Sequence, residues 1–139
     1  MSLLGGRSLV HGVTASVIAL EPNLANNNYS DLTWDLDGAS VDVASGEIGG
    51  LLEQRDVDLP SRIADLNTLV AQIITDVNTA HAAGFAHDGV TTGTPFFSGT
   101  DAADIDVDAT IVASPGLLAA ATNTTAVGDG SNALVIAGL

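Results

Sequence analysis

Gly46-Glu47-Ile48-Gly49-Gly50-Leu51-Leu52-Glu53-Gln54-Arg55 opens a run that continues, interrupted only by Pro60, to Asn78-Thr79-Ala80-His81-Ala82-Ala83-Gly84. Within it Leu52, Leu59, Ile63, Leu66, Val70, Ile73 and Val77 succeed one another at intervals of seven, four, three, four, three and four. That spacing lays one apolar stripe along an α-helix, close enough to a heptad to seat a neighbouring helix in a continuous seam. Leu51, Leu69 and Ile74 widen the stripe, as on a helix covered by a larger body as well as a partner. Ser45 is placed to cap this helix, and Glu47 sets an acid in the first turn, where the helix dipole favours it. Pro60 has no amide hydrogen and crowds the turn before it. The stripe keeps its phase from Leu52 through Leu59, which favours a kink over a break into two helices. Gly84 is the expected left-handed end of the run.

The composition narrows the field of functions. A chain of 139 residues suits one domain or a compact piece of a larger protein. It carries 17 acidic and 3 basic residues (Arg7, Arg55 and Arg62). Displacing phosphate counterions needs a cationic footprint, so nucleic acid is excluded as a partner, and an anionic membrane surface for the same reason. Only 14% of residues are charged, which sets the chain apart from a disordered acidic tail. The absence of cysteine removes disulfides, thiolate metal sites and cysteine nucleophiles. The apolar run from Leu9 to Leu20 is too short to cross a bilayer, and it ends in Glu21-Pro22 without a small-residue cleavage site. Met1-Ser2-Leu3 reads as a cloning remnant.

Around the helix the signals are β-like and irregular. Leu9 to Leu20 reads as a strand or strand pair with Gly12 as a bulge, and Pro22 to Ser30 as a loop. Asp37-Gly38 is a favoured hairpin turn and pairs Leu36 with Ala39, Trp34 with Val41 and Leu32 with Val43. Beyond Gly84, Phe85 to Thr94 is a loop with a turn at Asp88-Gly89. Asp104-Ile105-Asp106-Val107 alternates like a short strand, Ser114-Pro115-Gly116 opens a brief helix over Leu117 to Ala121, and Thr122 to Gly130 is loop. Ser131-Asn132 starts a last amphipathic segment that stops while still periodic, so a continuation in the parent protein is expected. The fold class is α+β. One long, kinked helix over 46–84 packs with a β-rich segment over 1–45 that holds the hairpin at 32–43. A loop, short-strand and short-helix segment follows over 85–130, and a helix start over 131–139.

Catalytic patterns are lacking. Asp104, Asp106 and Asp108, with Asp101 nearby, form the one dense carboxylate cluster, but a calcium loop would need glycine at Ala109 and a bidentate acid at Pro115. A solvated acidic strand face is the simpler account. His11, His81 and His87 have no partner at metal-ligand spacing, and His81, in the last helical turn, can serve the end carbonyls or the dipole. Gly49-Gly50 could receive an anion at a helix start, although close backbone packing explains the pair more simply. Arg55 stands between two readings: a surface ion pair, or a structural one that orients the helix on the β material. No metal and no cofactor is called for. The expected assembly residues are Gly49, Gly50, Leu51, Leu52, Arg55, Leu59, Ile63, Leu66, Val70, Ile73 and Val77.

Gly46 to Asp56, Leu66-Asn67-Thr68-Leu69, Val77 to Phe85, Asp88-Gly89 and Phe96-Phe97 together closely resemble the flagellar hook-associated protein 1 family (FlgK). There a G-x-L-G-G-L-L-x-x-R element opens a long helix, which ends in V/F-N-x-x-H-x-x-G-F/Y and a D-x-x-G turn ahead of a phenylalanine pair. Ile48 stands where the family has leucine, and His87 alters the turn slightly. The likeness is densest from Gly46 to Phe97. It implies a non-catalytic structural subunit of the bacterial flagellum, exported without a cleaved signal peptide and placed outside the cell at the hook–filament junction. The implied partners are hook and hook-associated subunits, other copies of itself in a ring, and the terminal polymerisation helices of its own parent chain, of which this stretch would be a central piece. Burying seven stripe residues does not offset the ordering of about thirty helical ones. The seam around Leu66 to Val77 is therefore expected to lie open or to self-associate. The reading from another class is a secreted acidic module that binds calcium or glycan.

Overall fold

A computed structural model describes residues 7–124 and 128–139. Met1-Ser2-Leu3 and the centre of the expected Thr122–Gly130 loop lie outside the described residues. The fold is α+β, with a long helical run, short antiparallel strand pairs and a small C-terminal helix. It divides into two compact units whose boundary, between Ser61 and Arg62, falls inside the helical run.

The first unit is led by strands. β1 (Val10–His11) and β2 (Thr14–Ala15) form a tight hairpin in which Gly12, at φ 61°, occupies the turn rather than a bulge. β3 (Ile18–Asn23) then pairs antiparallel with β4 (Tyr29–Trp34) over six residues, from Ile18 opposite Trp34 to Asn23 opposite Tyr29. The reading of Pro22 to Ser30 as loop is corrected here, because Pro22 and Asn23 belong to β3. A bond from the Asp35 N–H to the Val17 carbonyl sets the alternation of that ladder. Odd-numbered residues of β3 therefore bond to β4, and the amide that Pro22 lacks falls on the free edge, where it costs nothing. The connection is made by the asparagines. Asn23 accepts from the Ala25 N–H at 2.9 Å, and Asn27 and Asn28 take left-handed conformations at φ 50° and 61°.

The Asp37-Gly38 turn also forms, with its pairing shifted by two residues. Thr33 stands opposite Ser40, and the Trp34 N–H donates to the Ala39 carbonyl and the Val41 N–H to the Leu32 carbonyl across the strands. A slip of two preserves the faces, so Trp34 and Val41 still share the dry side and are both buried, while Leu36 is left 92% exposed.

α1 (Gly46–Glu53) follows, with Ser45 at its N-cap position but making no side-chain capping bond. The expected kink takes the form of a single π-helical turn, Gln54–Asp58, before α2 (Leu59–Ala83) continues the run. The Leu59 N–H bonds to the Gln54 carbonyl five residues back. Widening the turn ahead of Pro60 accommodates a residue that can neither donate nor tolerate the carbonyl of a normal preceding turn.

In the second unit α2 ends against a loop-rich body. β5 (Phe97–Ser98) pairs with β6 (Asp106–Val107), and α3 (Ala109–Ala113) comes next, capped by Asp108, whose carboxylate accepts from the Thr110 N–H at 2.8 Å. The helix expected over Leu117 to Ala121 is absent. Pro115–Leu117 make one 3-10 turn, and Ala121 instead pairs with Phe85 in an extended bridge. α4 (Ser131–Ile136) closes the unit. Ile74, Ala86, Ile111 and Ala119 form its apolar core, joined by two buried polar residues, His81 and Asn132.

Candidate assembly surface

At the head of the helical run the two glycines differ. A Cβ at Gly49 would stand 2.8 Å from the Val43 carbonyl oxygen, whereas one at Gly50 would meet nothing within 4 Å. Gly49 is thus the point where α1 lies against the incoming chain, and Gly50 faces solvent. Leu52 is half-buried beside Val43, and Leu51 is exposed.

Arg55 and Asp56 sit in the π-helical turn. The Arg55 Nε donates to Asp56 at 2.6 Å and its Nη2 to the other carboxylate oxygen at 2.8 Å, while Nη1 donates to the Ser30 carbonyl in β4 at 3.0 Å. The guanidinium lies 5.4 Å from the Tyr29 ring centroid. Asn26 donates to Asp56 at 2.9 Å from the β3–β4 connection. The ion pair of Arg55 is thus made with its chain neighbour Asp56, while Asp58 accepts from Gln54. Hydrogen bonds from Arg55 first, then from Asn26, hold the Asp56 carboxyl down at about 2. The half-exposed pair therefore ties the helical run to the strands of its own unit.

Along α2 the stripe is largely uncovered. Leu59 closes the first unit, 53% exposed, and in the second unit Ile63, Leu66 and Ile73 remain 57%, 51% and 41% exposed. Val70 and Val77 are half-buried, and Ile74, which widens the stripe, is buried. Four residues past Val77 the stripe is continued by His81, and three further on by Gly84.

This end of α2 is a polar hub. The Asn78 amide oxygen accepts from the Phe96 and Phe97 N–H groups, both at 2.8 Å, and its nitrogen donates to the Phe97 carbonyl at 2.9 Å. The two phenylalanine rings meet edge to face at 4.7 Å. His81 is wholly buried and bonds the Thr94 carbonyl and the Ala119 N–H. The expected role at the helix-end carbonyls is corrected accordingly. Asn132 donates to the Ala80 carbonyl at 3.1 Å and the Ala119 carbonyl at 2.7 Å. Gly84 is not left-handed. It is buried where a Cβ would overlap the Asn132 amide and stand 2.7 Å from the Ala119 oxygen, so it is needed for room rather than for φ.

The acidic cluster is divided among local tasks. Asp104 accepts from the Thr100 and Asp101 N–H groups at 2.7 and 2.8 Å, Asp108 caps α3, and only Asp106 lies in a strand. Asp88 accepts from Thr91 and Val90, with the Thr91 hydroxyl the leading cause of a carboxyl held down at about 2. Among the described residues no group of three or more His, Asp or Glu is placed to hold a metal, and no helix is long and apolar enough to cross a membrane.

In the second unit the surface is thus an apolar stripe, about half exposed at Ile63, Leu66 and Ile73, that leads into the polar hub. Residues 1–97 match the family model described as the flagellar hook-associated protein FlgK helical domain. The chain belongs to this family. Comparison with curated proteins and with solved structures returned no match. The matched span of the FlgK helical domain takes in the whole stripe, the Arg55 tie and the Asn78 and His81 ends of the hub, while Ala119 and Asn132 lie beyond it. FlgK proteins are structural parts of the flagellum, an extracellular appendage, which makes this chain a flagellar hook-associated protein. Asn78, Asn132 and the coupling of Asp56 to Asn26 escaped the sequence reading. The signal for His81 was available, because a polar residue occupying the next step of an apolar stripe is buried with it.

Proposed function

We propose that this chain is a non-catalytic building element of the hook–filament junction, exported without a cleaved signal peptide. In this reading it holds hook and hook-associated subunits, and further copies of itself, in a ring. The observation that carries the reading is the row Ile63, Leu66 and Ile73, in helical phase on one face of α2 and about half exposed. Apolar residues at that spacing form a seam for another helix. The terminal helices of the parent chain are the partner proposed for it, with Leu59, Val70 and Val77 completing the contact. Gly49, Leu52 and Arg55 act within the first unit and keep the helical run seated on the strands, while Leu51 and Gly50 lie on its open side.

The test is the double substitution Ile63→Asp and Leu66→Asp in the full-length parent protein. Both side chains are exposed here, so the melting temperature of the 139-residue chain should change little. In cells the expected result is filament shed from the hook and loss of swimming. Motile cells with intact junctions would sink the proposal.

A further inference from the structure

We propose that His81 is an acid-sensitive latch: its neutral ring ties the loop at Thr94 and the segment at Ala119 to the end of α2, and protonation releases the Ala119 side. The device is independent of the assembly reading. Nδ1 lies 2.8 Å from the Thr94 carbonyl oxygen and Nε2 lies 2.9 Å from the Ala119 nitrogen. A carbonyl only accepts and a backbone amide only donates. Nδ1 must therefore carry the hydrogen and Nε2 must be bare, a single tautomer of the neutral imidazole. A proton on Nε2 would set two donors head to head, so the imidazolium and the Ala119 bond exclude each other.

The surroundings supply nothing to soften that conflict. The ring is 0% exposed and beside an apolar cavity of about 170 Å³ lined by Val77 of α2, Phe96, Leu118, Ala120, and Ala133 and Ile136 of α4. Phe96 stacks at a tilt, 5.5 Å between centroids. The ionisable groups on the elements packed here are Arg62, Asp65 and Asp76 on α2, His87 and Asp88 in the loop, Asp108 ahead of α3 and Asp129 ahead of α4. None of them lines the cavity. Asp76, Asp88, Asp108 and Asp129 are engaged with Gln72, Thr91, Thr110 and Ser131. Among the described residues, a charged ring would thus find no carboxylate lining the cavity beside it. Its route to water is for the segment around Ala119 to lift away, and that segment also carries the Asn132 and Phe85 contacts.

The measurement is amide hydrogen exchange by NMR on the intact 139-residue chain between pH 8 and pH 5, corrected for intrinsic rates, with the ring nitrogen shifts followed in parallel. This window lies above the carboxylate range. Protection at Ala119 should fall by at least about tenfold across it, at the pH where the His81 ring leaves its single neutral tautomer. His81→Gln, whose amide can donate through its NH2 and accept through its oxygen but does not titrate, should lose this pH response. An unchanged response in His81→Gln would overturn the latch. So would a ring that becomes imidazolium while Ala119 stays protected, or one still neutral at pH 5 with protection intact. If His81→Gln does not fold, the ring shifts and the Ala119 amide of the natural chain decide the matter by themselves.

Discussion

Arg55 and His81 each fasten the helical run to backbone carried by another segment, yet the two ties are built for different surroundings. Arg55 spreads three nitrogens over Asp56 and the Ser30 carbonyl with about a quarter of its side chain still in water. Water can replace any one of those bonds, so the tie is redundant and screened. His81 has two bonds, no exposure and no substitute. Losing either leaves a buried group unpaired, which costs more than the bond itself contributed. Between them Asn67 accepts a bond from the Ala102 N–H at 3.3 Å, and Asn78 holds the Phe96-Phe97 backbone. Burial thus decides whether a polar contact adjusts this fold or is indispensable to it.

The largest effect that would sharpen this contrast is expected at Gly84. Ala at this position puts a methyl group into the Asn132 amide and against the Ala119 carbonyl, both bonded to the hub. Backbone and side chain must move together, and Gly84→Ala should lose about 3 kcal/mol in urea unfolding. Adding Asn132→Ala frees the side-chain half of the space without freeing the carbonyl, so rescue should be partial. Full tolerance of Gly84→Ala would mean that the hub is as adjustable as the Arg55 end.

The helix was readable because its evidence is repeated: Leu59, Ile63, Leu66, Val70, Ile73 and Val77 all state the same period. The six-residue pairing of β3 with β4 was missed because Pro22 signals a break. A free sheet edge neutralises that signal, and an edge is a property of the sheet, not of the dipeptide. The hairpin at Asp37-Gly38 was located, but its register slipped by two because both registers bury the same face. Gly84 was recognised as the end of the helix and assigned the wrong cause. A left-handed φ is a local property, whereas the crowding that selects glycine comes from Asn132, 48 positions further along. The hub was hidden for the same reason, since its partners meet only in three dimensions.

A smaller effect separates the two ties by acid. Asp56 is held at about 2 against an ordinary 3.8, chiefly by Arg55. A carboxyl depressed on folding stabilises above its unfolded value, and that contribution drains away as pH falls from about 4 toward 2. Arg55→Ala should lower the melting temperature by a few degrees at pH 7 and flatten its decline between pH 4 and pH 2. Asp88, also at about 2 but held by Thr91, should keep its share of that decline in the variant. A melting curve against pH identical to that of the natural chain would show that the Arg55 pair is ornamental.

Gly50 should give the smallest effect, with the opposite sign. It lies inside α1 with open space where a Cβ would go, and its backbone is not left-handed. Nothing in the fold therefore uses its lack of a side chain, and a helical glycine without such a use costs up to about 1 kcal/mol relative to alanine. Gly50→Ala should raise the melting temperature slightly, while its neighbour Gly49 has the Val43 carbonyl 2.8 Å away and no room for the same change. A loss of stability at Gly50 would mean that its face of α1 is occupied, and the open surface would then have to begin further along the run than Leu51.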